Sequence, residues 1–200
     1  ARPLAPDPRR LLSPADSRAL FWPELQAGQC IPAKGASFSV EELLGAPGAE
    51  YAPRFRNGAL AVFRLCPDDY HRYHFPADGR MLRSWRLRGK YHSVHPLALA
   101  TRLRVFSENL RVVSMLDFGS GGLAAFIEVG AFGVASIRQT FSGSEFRRGQ
   151  EKGFFAFGGS TIILLLEPGR WRFDEDLLTQ SAQGRECLLR MGEGIADRND

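Results

Sequence analysis

Cysteine is scarce in this 200-residue sequence: Cys30, Cys66 and Cys187 form an odd, scattered set without a CxxC pair. That excludes a disulfide framework and a cysteine-based zinc site as the basis of the fold. Long hydrophobic runs are missing as well. The longest strongly apolar stretch, Ile162 to Leu166, is strand-sized, far short of the ~18 residues a membrane-spanning helix needs. Lysine is nearly absent, since Lys34, Lys90 and Lys152 are the only lysines among 26 basic residues and the rest are arginines. No initiator Met or signal-peptide pattern opens the sequence, which starts on Ala1, so any N-terminal anchor is expected outside it. Internal repeats and low-complexity linkers are absent too.

What is present points to a globular chain. Hydrophobic residues make up 44% and charged residues 24%, which excludes a disordered tail or a collagen-like array. The length allows one or at most two domains. With no linker in view, a single domain is expected over 13–200, behind a Pro/Arg-rich extended lead-in over 1–12. Twenty-one glycines and twelve prolines predict many turns, and therefore many strands. A net charge of +4 suits a phosphate-bearing partner, nucleic acid or anionic membrane, without choosing between them.

Local patterns refine this picture. Ser39 and Glu42 form a capping box and Gly45 a stop, predicting a short helix at Val40–Leu44. Asn57-Gly58 is a hairpin signal leading into a strand at Ala59–Leu65. Further strands are predicted at Leu82–Leu87, Arg102–Phe106, Arg111–Asp117, Leu123–Val129, Val134–Phe141, Phe154–Phe157, Thr161–Leu166 and Cys187–Met191. The expected class is mainly β (α+β): a β-sandwich or barrel-like core of many short strands with a few short helices.

Chemistry-bearing residues are concentrated. All four histidines lie between positions 71 and 95, as the pairs His71/His74 and His92/His95. They could ligate a metal, or serve as surface and hydrogen-bonded core residues; no HxH or HExxH pattern strengthens the metal reading. Three constellations stand out. Ser13-Pro-Ala-Asp16 is an aspartate after a proline turn. Cys66-Pro-Asp-Asp-Tyr-His-Arg-Tyr-His-Phe-Pro-Ala-Asp-Gly79 packs acids, imidazoles and tyrosines into fourteen residues. It reads as a site or as a polar loop between strands. Phe157-Gly-Gly-Ser-Thr161 runs into an apolar strand; without a following Lys it is not a P-loop. It reads as a bulge, or as a backbone bent so that the Ser hydroxyl reaches its own preceding carbonyl.

In this order, from about Leu12 to Ile195, these segments resemble the phosphatidylserine decarboxylase family. Leu65-Cys-Pro-Asp-Asp-Tyr-His-Arg-Tyr-His74 is the most specific element. Lys34-Gly35, Phe38–Gly45, Tyr91-His-Ser-Val-His-Pro96, Asn109-Leu-Arg-Val112, Val129–Ile137, Lys152–Thr161 and Arg190-Met-Gly-Glu193 complete the collinear series. Ser17, His95, Leu110 and the Gly-Gly-Ser-Thr form of the last motif depart from the commoner pattern, and none removes a group with an expected chemical role.

The resemblance implies a proenzyme that makes its own cofactor. Ser160 would attack the carbonyl of Gly159, with His74 as base and Asp16 orienting the imidazole. Cleavage would leave a β chain of residues 1–159 and an α chain of 160–200 capped by a pyruvoyl group derived from Ser160. That group would take the amine of phosphatidylserine as a Schiff base and act as the electron sink for loss of CO2. His71 would return a proton to the product, and Tyr70 and Arg72 are implied head-group contacts. No metal and no nucleic acid are expected. The resemblance also implies a heterodimer of the two fragments, open to further dimerisation, held peripherally on an anionic membrane at its cytosolic face. For that contact the strand bearing Arg80, Arg83, Arg86, Arg88 and Lys90 among Met81, Leu82, Trp85 and Leu87 is a candidate; an ordinary solvated strand face is the alternative. Competing readings are a same-family decarboxylase of a soluble amino acid such as tryptophan, a catalytically silent lipid-binding β module, and a four-histidine metalloprotein.

Overall fold

The computed structural model describes residues 2–25, 39–90, 105–130, 136–156 and 160–199. The strands in chain order are β1 (Arg10–Leu12), β2 (Ser17–Trp22), β3 (Ala59–Leu65), β4 (Arg72–His74), β5 (Gly79–Leu87), β6 (Arg111–Asp117), β7 (Leu123–Gly130), β8 (Ser136–Gln139), β9 (Glu145–Phe146), β10 (Glu151–Ala156), β11 (Ser160–Leu166), β12 (Trp171–Phe173), β13 (Cys187–Leu189) and β14 (Gly194–Arg198). The α-helices are α1 (Val40–Leu44), α2 (Val105–Glu108) and α3 (Glu175–Ala182), and Ala46–Phe55 forms a 3-10 helix. The mainly β expectation holds.

An eight-stranded antiparallel sheet, in the order β13-β2-β3-β11-β7-β6-β5-β9, carries the structure. Its centre is β11, paired along its whole length with β3 on one side and β7 on the other. Ser-Thr-Ile-Ile-Leu-Leu-Leu is buried at every position, as a strand covered on both faces requires. Ile162, Leu164 and Leu166 join Phe21, Phe63 and Phe126 in one core. Over that face lie two three-stranded sheets, β4-β10-β8 and β1-β14-β12, which contribute Tyr73, Phe155 and Ile137, and Leu11, Phe173 and Ile195. Ile163 and Leu165 point the other way, into a core closed by Leu43 and Leu44 of α1, Phe55 of the 3-10 helix and Phe106 of α2. The result is a sandwich of sheets on one side and short helices on the other.

The capping box forms as expected: Glu42 N–H donates to Ser39 Oγ at 3.1 Å, and Ser39 N–H to Glu42 Oε2 at 3.0 Å. Arg111 ties these helices to the sheet by donating to the carbonyls of Leu43, Glu42, Ser107 and Asn109. Burial among neutral acceptors lowers its pKa to about 10.

Four local expectations need correction. Of the strand predicted at Arg102–Phe106, residues 102–104 lie outside the described residues, and Val105 and Phe106 open α2 instead. Burial of Phe106 in the helical core outweighs the β propensity of the segment. Asn57-Gly58 turns the 3-10 helix, rather than a strand, into β3, with Asn57 at φ 57°. The lead-in ends in strand β1, because Arg10–Leu12 find a partner in β14. Finally, the polar stretch 66–79 contains a strand, β4, whose ladder is supplied by β10.

Candidate active site

The expected chemistry falls at one end of the large sheet. Ser160 opens β11 opposite Leu65 and Gly130, and Asp16 immediately precedes β2. Because β3 alone separates β2 from β11, the two positions stand about two strand spacings, ~10 Å, apart across the sheet. The Ser13–Asp16 turn is pinned from both sides. Ser13 N–H donates to Glu193 O at 2.7 Å and Gly192 N–H to Ser13 O at 3.0 Å. His74 N–H donates to Pro14 O at 2.9 Å, which seats the end of β4 beside Asp16.

His74 is only 8% exposed. Its Nδ1 lies 2.9 Å from Gly149 O. A carbonyl can only accept, so Nδ1 carries the proton, and in the neutral ring the lone pair is on Nε2. That nitrogen accepts from the Tyr70 hydroxyl at 3.2 Å, and the Tyr70 ring stacks on the imidazole with centroids 5.9 Å apart. Burial is the main cause of a His74 pKa below the usual histidine value; Arg2 and Arg72 push it the same way, against the Gly149 hydrogen bond and Glu151. The ring is therefore neutral at pH 7, with a basic nitrogen available.

Asp16 accepts from Met191 N–H at 2.8 Å and from Arg2 Nε at 3.2 Å through Oδ1, and from Arg2 Nη2 through Oδ2. Ser160 Oγ is fully buried and has no hydrogen-bond partner among the described residues. Thr161 Oγ1 beside it is likewise buried without a partner among the described residues. Orphaned hydroxyls in a core are unusual, and here they gather at the start of β11, where Ser160, directly after Gly158 and Gly159, is the one placed by sequence to reach its own preceding carbonyl. Asp16 and His74 thus share one neighbourhood without touching, and no hydrogen bond joins either to Ser160. Gly159 lies outside the described residues. His71 precedes β4 and donates from Nδ1 to Asp69 O at 2.7 Å. Arg72 is engaged elsewhere, in an ion pair with Glu151 at 2.7 Å and over the ring of Phe154. His92 and His95 lie outside the described residues, among which no group of three or more His, Cys, Asp or Glu could hold a metal.

Several participants carried no signal in the sequence. Arg2 stood in the lead-in, and Gly149 and Met191 act through backbone. A fully buried pair, Lys152 and Glu128, also emerges beneath the site: Lys152 Nζ donates to Glu128 Oε1 and, at 2.8 Å, to Gln139 Oε1.

The basic-apolar strand β5 turns most of its apolar side chains inward and leaves Arg86, and Arg88 just beyond it, exposed. Trp85 and Leu87 pack against the helical core and Met81 against the other, leaving Leu82 exposed at 42%. Arg80, Arg83 and Lys90 pair with Asp117, Glu50 and Glu108. Among the described residues no helix is long and apolar enough to cross a membrane.

Comparison with known proteins adds the following. The family described as phosphatidylserine decarboxylase matches residues 1–197. A phosphatidylserine decarboxylase proenzyme of Chlamydia trachomatis serovar L2 is 43% identical over 99% of this chain. A namesake of Clostridium novyi is 39% identical over 99%, and one of Clostridium tetani 39% over 94%. This chain spans 65%, 67% and 63% of the lengths of those three relatives.

Proposed function

The chain belongs to the phosphatidylserine decarboxylase family, and on that premise we propose that it is a self-processing, pyruvoyl-dependent carboxy-lyase. Its reaction would convert phosphatidylserine to phosphatidylethanolamine and CO2. The observation that carries the reading is the buried, partnerless hydroxyl of Ser160 at the start of β11.

In maturation, Ser160 Oγ gives its proton to His74 and attacks the carbonyl carbon of Gly159, so that the peptide bond becomes an ester through Oγ. Elimination across Cα–Cβ of residue 160 breaks that ester. The carboxylate stays on Gly159, and water then replaces the nitrogen of residue 160, released as ammonia. Holding hydroxyl and carbonyl in one chain supplies roughly 7–11 kcal/mol of the barrier in well-aligned cases. Asp16 and Tyr70 fix the surroundings of His74, and burial keeps its imidazole neutral. The group would form on residue 160 at the start of β11, where pairing with β3 and β7 on either side fixes its backbone. When present, that group supplies the electron sink for decarboxylation. His71 would deliver a proton to the product carbon, with Tyr70 and Arg72 near the head group. A lipid substrate and a net charge of +4 support peripheral attachment to an anionic membrane, at its cytosolic face.

Mass spectrometry tests the reading: the expected species are residues 1–159 and a blocked, pyruvoyl-started 160–200. On a native sizing column they should travel as one particle, because β11 is paired along both edges within the other fragment, and should separate only in denaturant. An intact 200-residue chain after prolonged native incubation overturns the proposal. Release of CO2 from phosphatidylserine liposomes, and none from free tryptophan, separates the lipid enzyme from the soluble amino-acid one; cleavage without either activity would identify a silent lipid-binding module.

The pH dependence has a definite sign. His74 must be neutral to act as base, and its pKa lies below 6.5, so maturation should stay fast as pH falls through 6.5 and fail only at lower pH. A stopped-assay pH series on freshly refolded chain checks this. An acidic limb above 6.5 would contradict it.

A further inference from the structure

The segment before β1 is tied down at four points around the site. Ala5 N–H donates to Gly192 O at 2.8 Å, and Arg148 reaches Ala5 O and, at 2.9 Å, Asp7 O. Leu4 fills the space left by two glycines with positive φ, Gly149 at 77° and Gly192 at 94°. A Cβ at Gly149 would come within 2.6 Å of Leu4 Cδ1, and one at Gly192 within 2.6 Å of Pro3 O. These glycines are not arbitrary. Gly149 supplies the carbonyl that holds His74 Nδ1, and Gly192 follows Met191, whose N–H holds Asp16.

From this strap Arg2 reaches inward. Its guanidinium grips Asp16 with two nitrogens and lies 4.2 Å from the centroid of the Tyr70 ring, within cation–π range. Tyr70 in turn donates to His74 Nε2. The connection between Asp16 and His74 therefore runs through Arg2 and Tyr70. A planar fork that pairs a carboxylate along its edge and covers an aromatic ring with its face is a guanidinium property that an ammonium cannot copy.

We infer that Arg2 is a positioning residue for self-processing, which sets the Asp16 carboxylate and the Tyr70–His74 pair in register. This rests on the maturation role proposed above for His74. Arg2 touches no reacting atom, so its removal should slow processing without abolishing it.

The charges around His74 make the inference testable by a readout that folding alone does not move. Facing the imidazole are Arg2 from the strap and Arg72 from β4, both opposing its protonation, and Glu151 from β10, favouring it; Asp16 lies behind Arg2. Arg2→Ala removes one opposing cation and uncovers Asp16. Both changes favour the imidazolium, so the acidic limb of the processing profile should move to higher pH. Arg2→Lys retains the charge but loses the fork, so its limb should stay near the wild-type position while its rate falls.

The experiment follows cleavage of the full chain on denaturing gels across pH for wild type, Arg2→Ala, Arg2→Lys and His74→Ala, with a melting curve for each. For Arg2→Ala the expected slowing is roughly 10- to 100-fold, the scale on which misplacement by about an ångström acts, together with the shifted limb. Wild-type rate and limb in Arg2→Ala would overturn the inference, as would slowing with an unmoved limb that tracks lost melting temperature. If wild type fails to cleave, or His74→Ala cleaves normally, the maturation role itself fails, which is a separate result.

Discussion

His74→Ala is expected to accumulate as one uncleaved chain with no decarboxylase activity, whereas His71→Ala should mature normally and then fail in turnover. The two histidines lie three residues apart, His74 within β4 and His71 just before it. The packing already treats them differently. His74 is buried, with Gly149 fixing its tautomer and Tyr70 on its basic nitrogen. His71 is half-buried at the entry to β4, oriented by the Asp69 carbonyl. A base for Ser160 is needed once per molecule, and a proton donor for the product carbon in every cycle. Loss of a general acid or base costs roughly 10²–10⁴-fold. Gels should therefore show His71→Ala fully split, with a blocked 160–200 fragment by mass, and liposome assays should show CO2 release reduced by that factor. Ser160→Ala gives the reference for an uncleaved chain. The reverse pattern, His71→Ala uncleaved and His74→Ala split, would exchange the two roles. Wild-type maturation and turnover in both would remove the histidines from the chemistry.

What could be read from the sequence and what could not divide along physical lines. The limits of β3 and β6 agree with the expected Ala59–Leu65 and Arg111–Asp117, since buried strands announce themselves by apolar content and flanking turn residues. Helix α1 was legible because its capping box is local, with both partners within three residues. Helix α3 was not: Leu177 is its one buried residue, too little for an apolar period to register. Strand β4 draws its identity from β10, nearly eighty residues onward, and its own Arg-Tyr-His composition reads as loop. The site divides in the same way. Asp16, His71, His74 and Ser160 were marked by motifs in collinear order, but what holds them was not. Gly149 is 75 residues from His74, and Met191 is 175 from Asp16; both act through main-chain atoms that every residue possesses. Arg2 sat among other arginines of a proline-rich segment and acquired meaning only through the strap.

Lys152→Met alone should destabilise the protein severely, while Lys152→Met combined with Glu128→Leu should recover most of the loss. The pair is fully buried and spans the layers of the sandwich: Glu128 belongs to β7 of the large sheet, Lys152 to β10 of the small one. Gln139 of β8 bridges them, donating to Glu128 Oε1 at 3.3 Å and to the Tyr73 hydroxyl of β4 at 3.2 Å. Burial pushes the Lys152 pKa down and that of Glu128 up, each opposed by its partner's charge. Glu128 Oε2 has no hydrogen-bond partner among the described residues, so the carboxylate is incompletely satisfied even with the lysine in place. Removing one partner strands the other in the core and costs about 3–5 kcal/mol, whereas replacing both by apolar groups of similar volume is often neutral or stabilising. The measurement belongs in the Ser160→Ala background, where a single uncleaved chain avoids unfolding coupled to fragment separation. Urea midpoints at constant slope for the two single variants and the double variant give the coupling directly. If the singles and the double are equally destabilised, the pair adds nothing beyond its separate packing. If the double variant folds stably but matures slowly once Ser160 is restored, the charges serve the cleavage segment as well as the core, for Lys152 lies on the strand that leads into it.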